Sequence, residues 1–271
     1  WAALHARLQS HLPLTNRDPA ALWRGSCNSL CDMMQSTRRC RLPHDAELLS
    51  RPLLLQTAAR CRHDVDAGIT AAHRNCQAFA LRKPVPIAEH TRHALLLHVD
   101  GNGFSGRLDE LLTLGAAILK QDSPFSAYYY PLLQRGEHYE SLGRNLSDLC
   151  HKAHALRIQL TARTGGSRAA AADTRAHRLA ARATAFATRY LTPGAVAAYV
   201  ATLLRQYAAL LRFTPSLPPQ ARPWLQQQPL TPHAASPSAA VGVKSASSAR
   251  GACAASAKPA RCCARHPRVC S

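Results

Sequence analysis

The chain has 271 residues, enough for one sizeable domain or two small ones. Its 34 Lys and Arg against 15 Asp and Glu leave a formal charge of +19, which suits an anionic ligand, a nucleic acid or an acidic membrane surface and does not choose among them. Arg greatly outnumbers Lys and Ala is abundant, as in GC-rich coding sequence, so base composition accounts for the excess about as well. No run of about eighteen or more apolar residues is present, so no membrane-spanning helix is expected. Trp1 opens the chain without a basic-then-apolar leader, and any signal or membrane anchor is expected upstream of it.

In chain order, Ala3 to Leu12 reads as a short helix. The stretch "AALWRGSCNS" reads as a strand running into a glycine-containing loop at Arg24, Gly25 and Ser26. Asp45 to Ala59 places its leucines broadly on one face, with Pro52 interrupting a helix. "HDVDAGIT" reads as a strand, Ala94 to Val99 as a buried strand, and Arg107 to Ala117 has helical spacing. "AAILKQ" is expected to be a strand, "SAYYYPLLQ" a short helix and "EHYESL" another strand. Helices then follow over Asp148 to Ala162, Thr174 to Tyr190 and Pro193 to Phe213, with Pro193 suited to a first turn. Strands alternating with helices predict an α/β layered domain with a parallel sheet. From residue 216 onward the chain is rich in Pro, Ser and Ala, carries seven Lys and Arg and no acid, and reads as a disordered basic tail. The expected division is therefore 1–215 as the folded part and 216–271 as tail.

Ten cysteines are present, and no C-x-x-C pair stands beside a second, which disfavours a zinc ribbon. Cys262, Cys263, His266 and Cys270 have metal-ligand residue types but fall in the tail. The remaining cysteines suit disulfides in an oxidising compartment, and Asn145-Leu146-Ser147 is an N-glycosylation acceptor sequence that points the same way.

The loop Asp100-Gly101-Asn102-Gly103 invites three readings. As an EF-hand it fails, because His98 falls at the first position and Ser105 at the eighth, and a strand precedes it where a helix is needed. As an anion cradle it is coherent. The glycines let backbone N–H groups approach a ligand, Ser105 supplies a hydroxyl, Arg107 supplies a planar permanent cation, and a helix begins there. As a plain glycine turn with Arg107 in solvent it is equally consistent with the residues taken alone.

"ALLLHVDGNGFSGRLDELLTLGAAILKQDSPFSAYYYPLLQRGEHYESLGRNLSDL" resembles the signature region of glycosyltransferase family 90, the family of Rumi-type protein O-glucosyltransferases and capsule-associated xylosyltransferases. The order of Gly101, Ser105, Arg107, Gly115, Tyr128-Tyr129-Tyr130 and His138-Tyr139 carries the likeness. "WRGS" at Trp23 to Ser26 is similar to a second hallmark, "TRRCRL" to an Arg-rich stretch, and "YVATLLRQYAALLRFTP" to the closing helix. The likeness runs from about Arg17 to Pro215.

That resemblance implies an α/β, Rossmann-like donor-binding lobe of a GT-B-type enzyme with a helical C-terminal end. It implies inverting, metal-independent transfer of glucose or xylose from a UDP-sugar to a hydroxyl of a protein or glycan acceptor, with the UDP-sugar as substrate and no cofactor. The donor is expected at Arg24, Gly25, Ser26, Asn102, Gly103, Phe104, Ser105, Gly106 and Arg107, with Glu89, Arg39 and His138 as further candidates. The tyrosine triplet is expected to pack in the core. In the family the acceptor-side base lies well upstream of the "RGS" hallmark, and 22 residues precede Trp23. The acceptor lobe is therefore expected to be truncated, and no catalytic base is assigned. Ala127 departs from the acidic residue that many members carry before the aromatic pair. The expected setting is the secretory lumen, endoplasmic reticulum or Golgi. A basic nucleic-acid-binding protein and a catalytically inactive UDP-binding remnant are the alternatives. The first is ranked lower because no aromatic-interleaved basic motif is present, so no nucleic-acid partner is expected.

Overall fold

A computed structural model describes residues 13–29, 49–72, 76–161 and 174–213. The helix expected over Ala3 to Leu12, Arg39, the tail from 216 and its Cys/His cluster lie outside the described residues. Five strands form one sheet: β1 (Asp18–Cys27), β2 (Val65–Ala72), β3 (His93–His98), β4 (Ala117–Gln121) and β5 (Glu140–Leu142). They run in the order β2-β1-β3-β4-β5 with every pair parallel. The helices among the described residues are α1 (Ser50–Ala58), α2 (Arg107–Leu111), α3 (Leu149–Thr161), α4 (Arg175–Tyr190) and α5 (Pro193–Leu210). The structure is thus the mixed α/β lobe with a parallel sheet and helices that the residue pattern predicts.

Alternation along the central strands feeds two cores, since successive side chains leave a strand on opposite faces. Ala21, Trp23, Leu95, Leu97 and Leu119 pack with Leu54 and Leu55 of α1 and Leu149, Ala153 and Leu156 of α3. Leu22, Leu96 and Ile118 point the other way, onto Leu108 and Leu111 of α2 and Phe186 of α4. The continuous apolar run Leu95-Leu96-Leu97 is therefore the signature of a strand covered on both faces. Helix α4 serves both cores, Ala176 and Leu179 entering one, Ala183 and Phe186 the other.

Several element boundaries differ from the sequence expectation, each for a physical reason. Arg24, Gly25 and Ser26 lie within β1 rather than in a loop after it, because β2 continues to pair with this end through a register shift at Gly25/Ser26. Pro52 sits in the first turn of α1, where its missing N–H costs nothing, so it does not interrupt the helix. The helix expected to reach Ala117 stops at Leu111. Thr113 and Leu114 close tight i−3 turns, and Gly115 turns the chain into β4 with φ 61°. In "SAYYYPLLQ" only a three-residue 3₁₀ turn forms, Tyr130–Leu132. Of its tyrosines, Tyr129 is buried in the second core, whereas Tyr128 is partly exposed and stacks on Tyr199 of α5 at 4.7 Å. The last two helices begin as read. Thr174 and Thr192 cap α4 and α5 by accepting from the amides of His177 and Ala195, with Pro193 in the first turn of α5.

Among the described residues, two disulfides brace the sheet. Cys27–Cys76 ties the end of β1 to the segment after β2, and Cys61–Cys150 ties the residues after α1 to α3, with Cα separations of 6.1 and 5.7 Å. At the amino-terminal edge of the sheet, three residues after Cys61, Asp64 precedes β2 and accepts from Arg157 Nε at 2.5 Å, with His154 Nδ1 at 3.1 Å, both on α3. Burial alone would raise the Asp64 pKa, but these two partners outweigh it and hold the carboxyl below its ordinary range. A depressed carboxylate stabilises the fold above its unfolded pKa, near 4, and that contribution disappears as pH falls through the lower, folded value. Asp64→Asn is expected to lose about 1–2 kcal/mol at neutral pH by urea denaturation. The gap to the parent should narrow as pH falls and close once the parent carboxyl is itself protonated.

Candidate functional site

In an open parallel sheet a ligand crevice forms beyond the carboxyl ends of the strands where the order reverses, here between β1 and β3. The pairing shows the crevice opening. The pairs between β1 and β3 end at Leu22 and Leu96, whereas β1 stays paired with β2 as far as Cys27. The last residues of β1 therefore present carbonyls on a side that has lost its strand partner, and buried carbonyls require donors.

Two arginines supply them. Arg107, at the start of α2, donates from Nη1 to the Arg24 carbonyl. Arg51, in the first turn of α1, donates from Nη1 to the Ser26 carbonyl at 2.9 Å, to Ser26 Oγ at 3.3 Å and to Asn28 Oδ1. Arg51 also lies over the Trp23 ring at 5.8 Å. Its pKa is pulled down to about 10, first by burial and then by the neighbouring Arg107, with Asp100 opposing. Burial likewise lowers Arg107. Both remain cations at neutral pH. Two guanidiniums crowding one another at a rim is an arrangement that an anion relieves.

The loop from Asp100 to Gly106 is shaped from beneath. Asp100 is 2% exposed, its Oδ1 accepts from the Ser105 amide at 2.6 Å, and His98 Nε2 lies 3.4 Å away. Burial would raise its pKa, yet the His98 imidazole and the Ser105 amide outweigh that and keep it ionised. His98 is itself held neutral by burial, against the pull of Asp100. A Cβ on Gly101 would lie 2.6 Å from Asn28 Oδ1 and 2.8 Å from Arg51 Cζ, so a side chain there would displace both groups. Gly103 and Gly106 face open space. The amides of Asn102, Gly103 and Phe104 have no partner among the described residues.

Arg107 lines a pocket together with the polar residues Arg24, Thr70, His90 and Glu110, with Gly25, and with the apolar Pro84, Val85 and Ile87. Of the residues expected from the sequence, the fold brings Arg24, Gly25 and Arg107 to this pocket. It brings Ser26 to Arg51 and Ser105 to Asp100. Asn102, Phe104 and Gly106 are exposed on the loop. The Arg24 guanidinium is committed to the Asp66 carboxylate, 2.6 Å from Nη2, and to the Asp66 carbonyl, so Arg24 lines the pocket as a fixed group. Glu89 is exposed on the 3₁₀ turn Ile87–Arg92, and it is the next residue, His90, that lines the pocket. His138 does not line it. Its ring lies 4.9 Å from Phe186, and its Nδ1 accepts from the Gln134 amide.

Two residues were not anticipated. Arg51 carries a signal visible in the chain, because α1 has no acidic residue in its first turn and places a cation at the end of the helix dipole that disfavours one. Asp100, which is not among the residues expected to hold the donor, is the residue that organises the loop. The helix that opens at Arg107 has only five residues, so the cationic character of the rim comes from the two guanidiniums more than from a helix dipole. Among the described residues no group of three or more His, Cys, Asp or Glu is placed to hold a metal ion.

Arg51→Ala is expected to weaken inorganic pyrophosphate binding about tenfold or more in calorimetric titration, the loss of one charge-assisted hydrogen bond. Asp100→Ala is expected to lower stability by about 1–3 kcal/mol and to weaken pyrophosphate as well, whereas Asp100→Asn, which keeps an acceptor for the Ser105 amide, stays closer to the parent.

The profile of the family described as "Glycosyl transferase family 90" matches residues 1–255, beyond both ends of the stretch on which the resemblance was read. Human "Protein O-glucosyltransferase 3" is 31% identical over 91 residues, a match that spans 32% of this chain and 18% of that relative's length. With its family hallmarks folded onto the switch point of a parallel sheet and the profile matched over nearly the whole chain, this protein belongs to glycosyl transferase family 90.

Proposed function

We propose that this chain binds the donor of a glycosyl transfer reaction, a UDP-sugar, and that its rim stabilises the departing nucleotide diphosphate. The observation that carries the proposal is the pair Arg51 and Arg107, both fixed to β1 carbonyls at the switch point, beside unpartnered loop amides and a pocket lined in part by apolar residues. The diphosphate sits against the two guanidiniums and the 102–104 amides. The nucleoside takes the pocket bounded by Val85, Ile87 and His90.

Chemically, cleavage of the sugar–phosphate bond builds negative charge on the β-phosphate. Cations already held in place stabilise that charge without having to reorganise, which lowers the barrier more than it tightens ground-state binding. The same two cations do the electrostatic work that a divalent ion does at other nucleotide-sugar sites, so transfer is metal-independent in this reading. The sugar is glucose or xylose, and the acceptor is a hydroxyl of a protein or glycan. Inversion at the anomeric carbon requires a base on the acceptor side. The name of the human relative supports glucose, and the two disulfides support a secretory-lumen setting.

UDP-glucose at about a hundred times its Kd should stabilise the protein by about 2.7 kcal/mol, a rise of several degrees in melting temperature, with or without a chelator present. UDP should act similarly and uridine much less, and Arg107→Ala should abolish the rise. A melting temperature unmoved by UDP or by any UDP-sugar would sink the proposal.

A further inference from the structure

The chain contains five asparagines, at 16, 28, 75, 102 and 145, and only Asn145 is followed by the acceptor pattern, as Asn145-Leu146-Ser147. From its geometry we propose that Asn145 carries an N-linked glycan. This is independent of the donor reading and rests on how the turn is built.

Asn145 lies between β5 and α3, with both Asn145 and Ser147 exposed and Leu146 fully buried between them. The side-chain oxygen and nitrogen of Asn145 have different fates. Oδ1 accepts from the Ser147 amide at 3.2 Å and from Ser147 Oγ at 2.9 Å. Nδ2 has no partner among the described residues. The rest of the turn is held by other groups: the Leu146 amide donates to the Gly143 carbonyl, the Gly143 amide to Asp148 Oδ1, and Gln121 Nε2 to the Arg144 carbonyl. Substitution at Nδ2 therefore breaks no native hydrogen bond, and the oxygen goes on closing the turn.

The donor class is an oligosaccharide carried on a lipid diphosphate. A bond forms between Nδ2 and the anomeric carbon, the anomeric C–O bond to phosphate breaks, the lipid diphosphate departs, and the amide proton passes to a base. No electrons change hands. The compartment that supplies such donors is the oxidising one in which Cys27–Cys76 and Cys61–Cys150 form.

The glycan's attachment point lies on the same carboxyl rim as the candidate site. Asn145 stands just beyond the carboxyl end of β5, the outermost strand, with β4 between it and β3. At roughly 4.8 Å per strand, that puts it about 10 Å along the rim from β3, on the side away from β1. There the bulky, hydrated chain shields the edge of β5, which has no second strand partner among the described residues, from pairing with other chains.

To test this, the chain is expressed in animal cells behind a secretion signal and peptide-mapped. An amidase that releases N-linked glycans should convert Asn145 to Asp with heavy oxygen incorporated from labelled water, and the protein should lose mass on a gel. Asn145→Gln and Ser147→Ala should abolish that gel shift, and Ser147→Thr, which keeps the acceptor hydroxyl, should preserve it. Unmodified Asn145 in molecules whose Cys61–Cys150 bridge has formed would overturn the proposal, as would a gel shift that survives Asn145→Gln.

Discussion

The functional end of this lobe depends on two guanidinium groups hydrogen-bonded to one strand. Where β1 parts from β3, the carbonyls of Arg24 and Ser26 lose the partner that a longer strand would have supplied, and Arg107 and Arg51 take its place. These contacts fix α1 and the loop after β3 to the last residues of β1. The same contacts crowd two partly buried cations together, at an electrostatic cost that falls when an anion is bound. The atoms that give structural support are therefore the same ones that the proposed reading assigns to the ligand.

Beneath the rim, the sheet supplies rigidity. Both faces of β1, β3 and β4 are covered, and α4 joins the two cores, so the strand ends are held in a fixed relation. The 100–106 loop inherits that order through Asp100, which is buried between His98 below and the Ser105 amide above. Gly101 adds a packing constraint, because the Arg51 guanidinium occupies the space a side chain would need. A glycine expected to serve ligand approach thus serves first to admit an arginine.

Membership of glycosyl transferase family 90 gives this geometry a chemical context. In the proposed reading, departure of a nucleotide diphosphate is a problem of charge that preorganised cations on a rigid rim answer. The placement of the pieces follows the same logic. The crevice opens at the topological switch, Arg51 and Arg107 flank it, and the acceptor sequence at Asn145 follows the edge strand β5.

Much of the architecture was written in local pattern. Buried strands showed as apolar runs, α4 and α5 announced themselves through threonine caps and Pro193, and the glycine-rich loop with Ser105 and Arg107 stood out by composition and by likeness to a family. These features depend on neighbours within a few residues, and such information survives in one dimension. The end of α2 is not legible in the pattern, because Leu112 and Leu114 continue a helical spacing that Gly115 then breaks with a positive φ. Arg51 could not be placed at the site from sequence, since it lies 56 positions before Arg107 and meets it only because β1 is flanked by β3 on one side and followed by α1. The sequence by itself determined the fold class, the family and the loop. Tertiary structure decided which charges converge, that Arg24 is spent on Asp66, that Glu89 yields its place to His90, and that Asp100 is structural, because each of these is a contact between segments far apart in the chain.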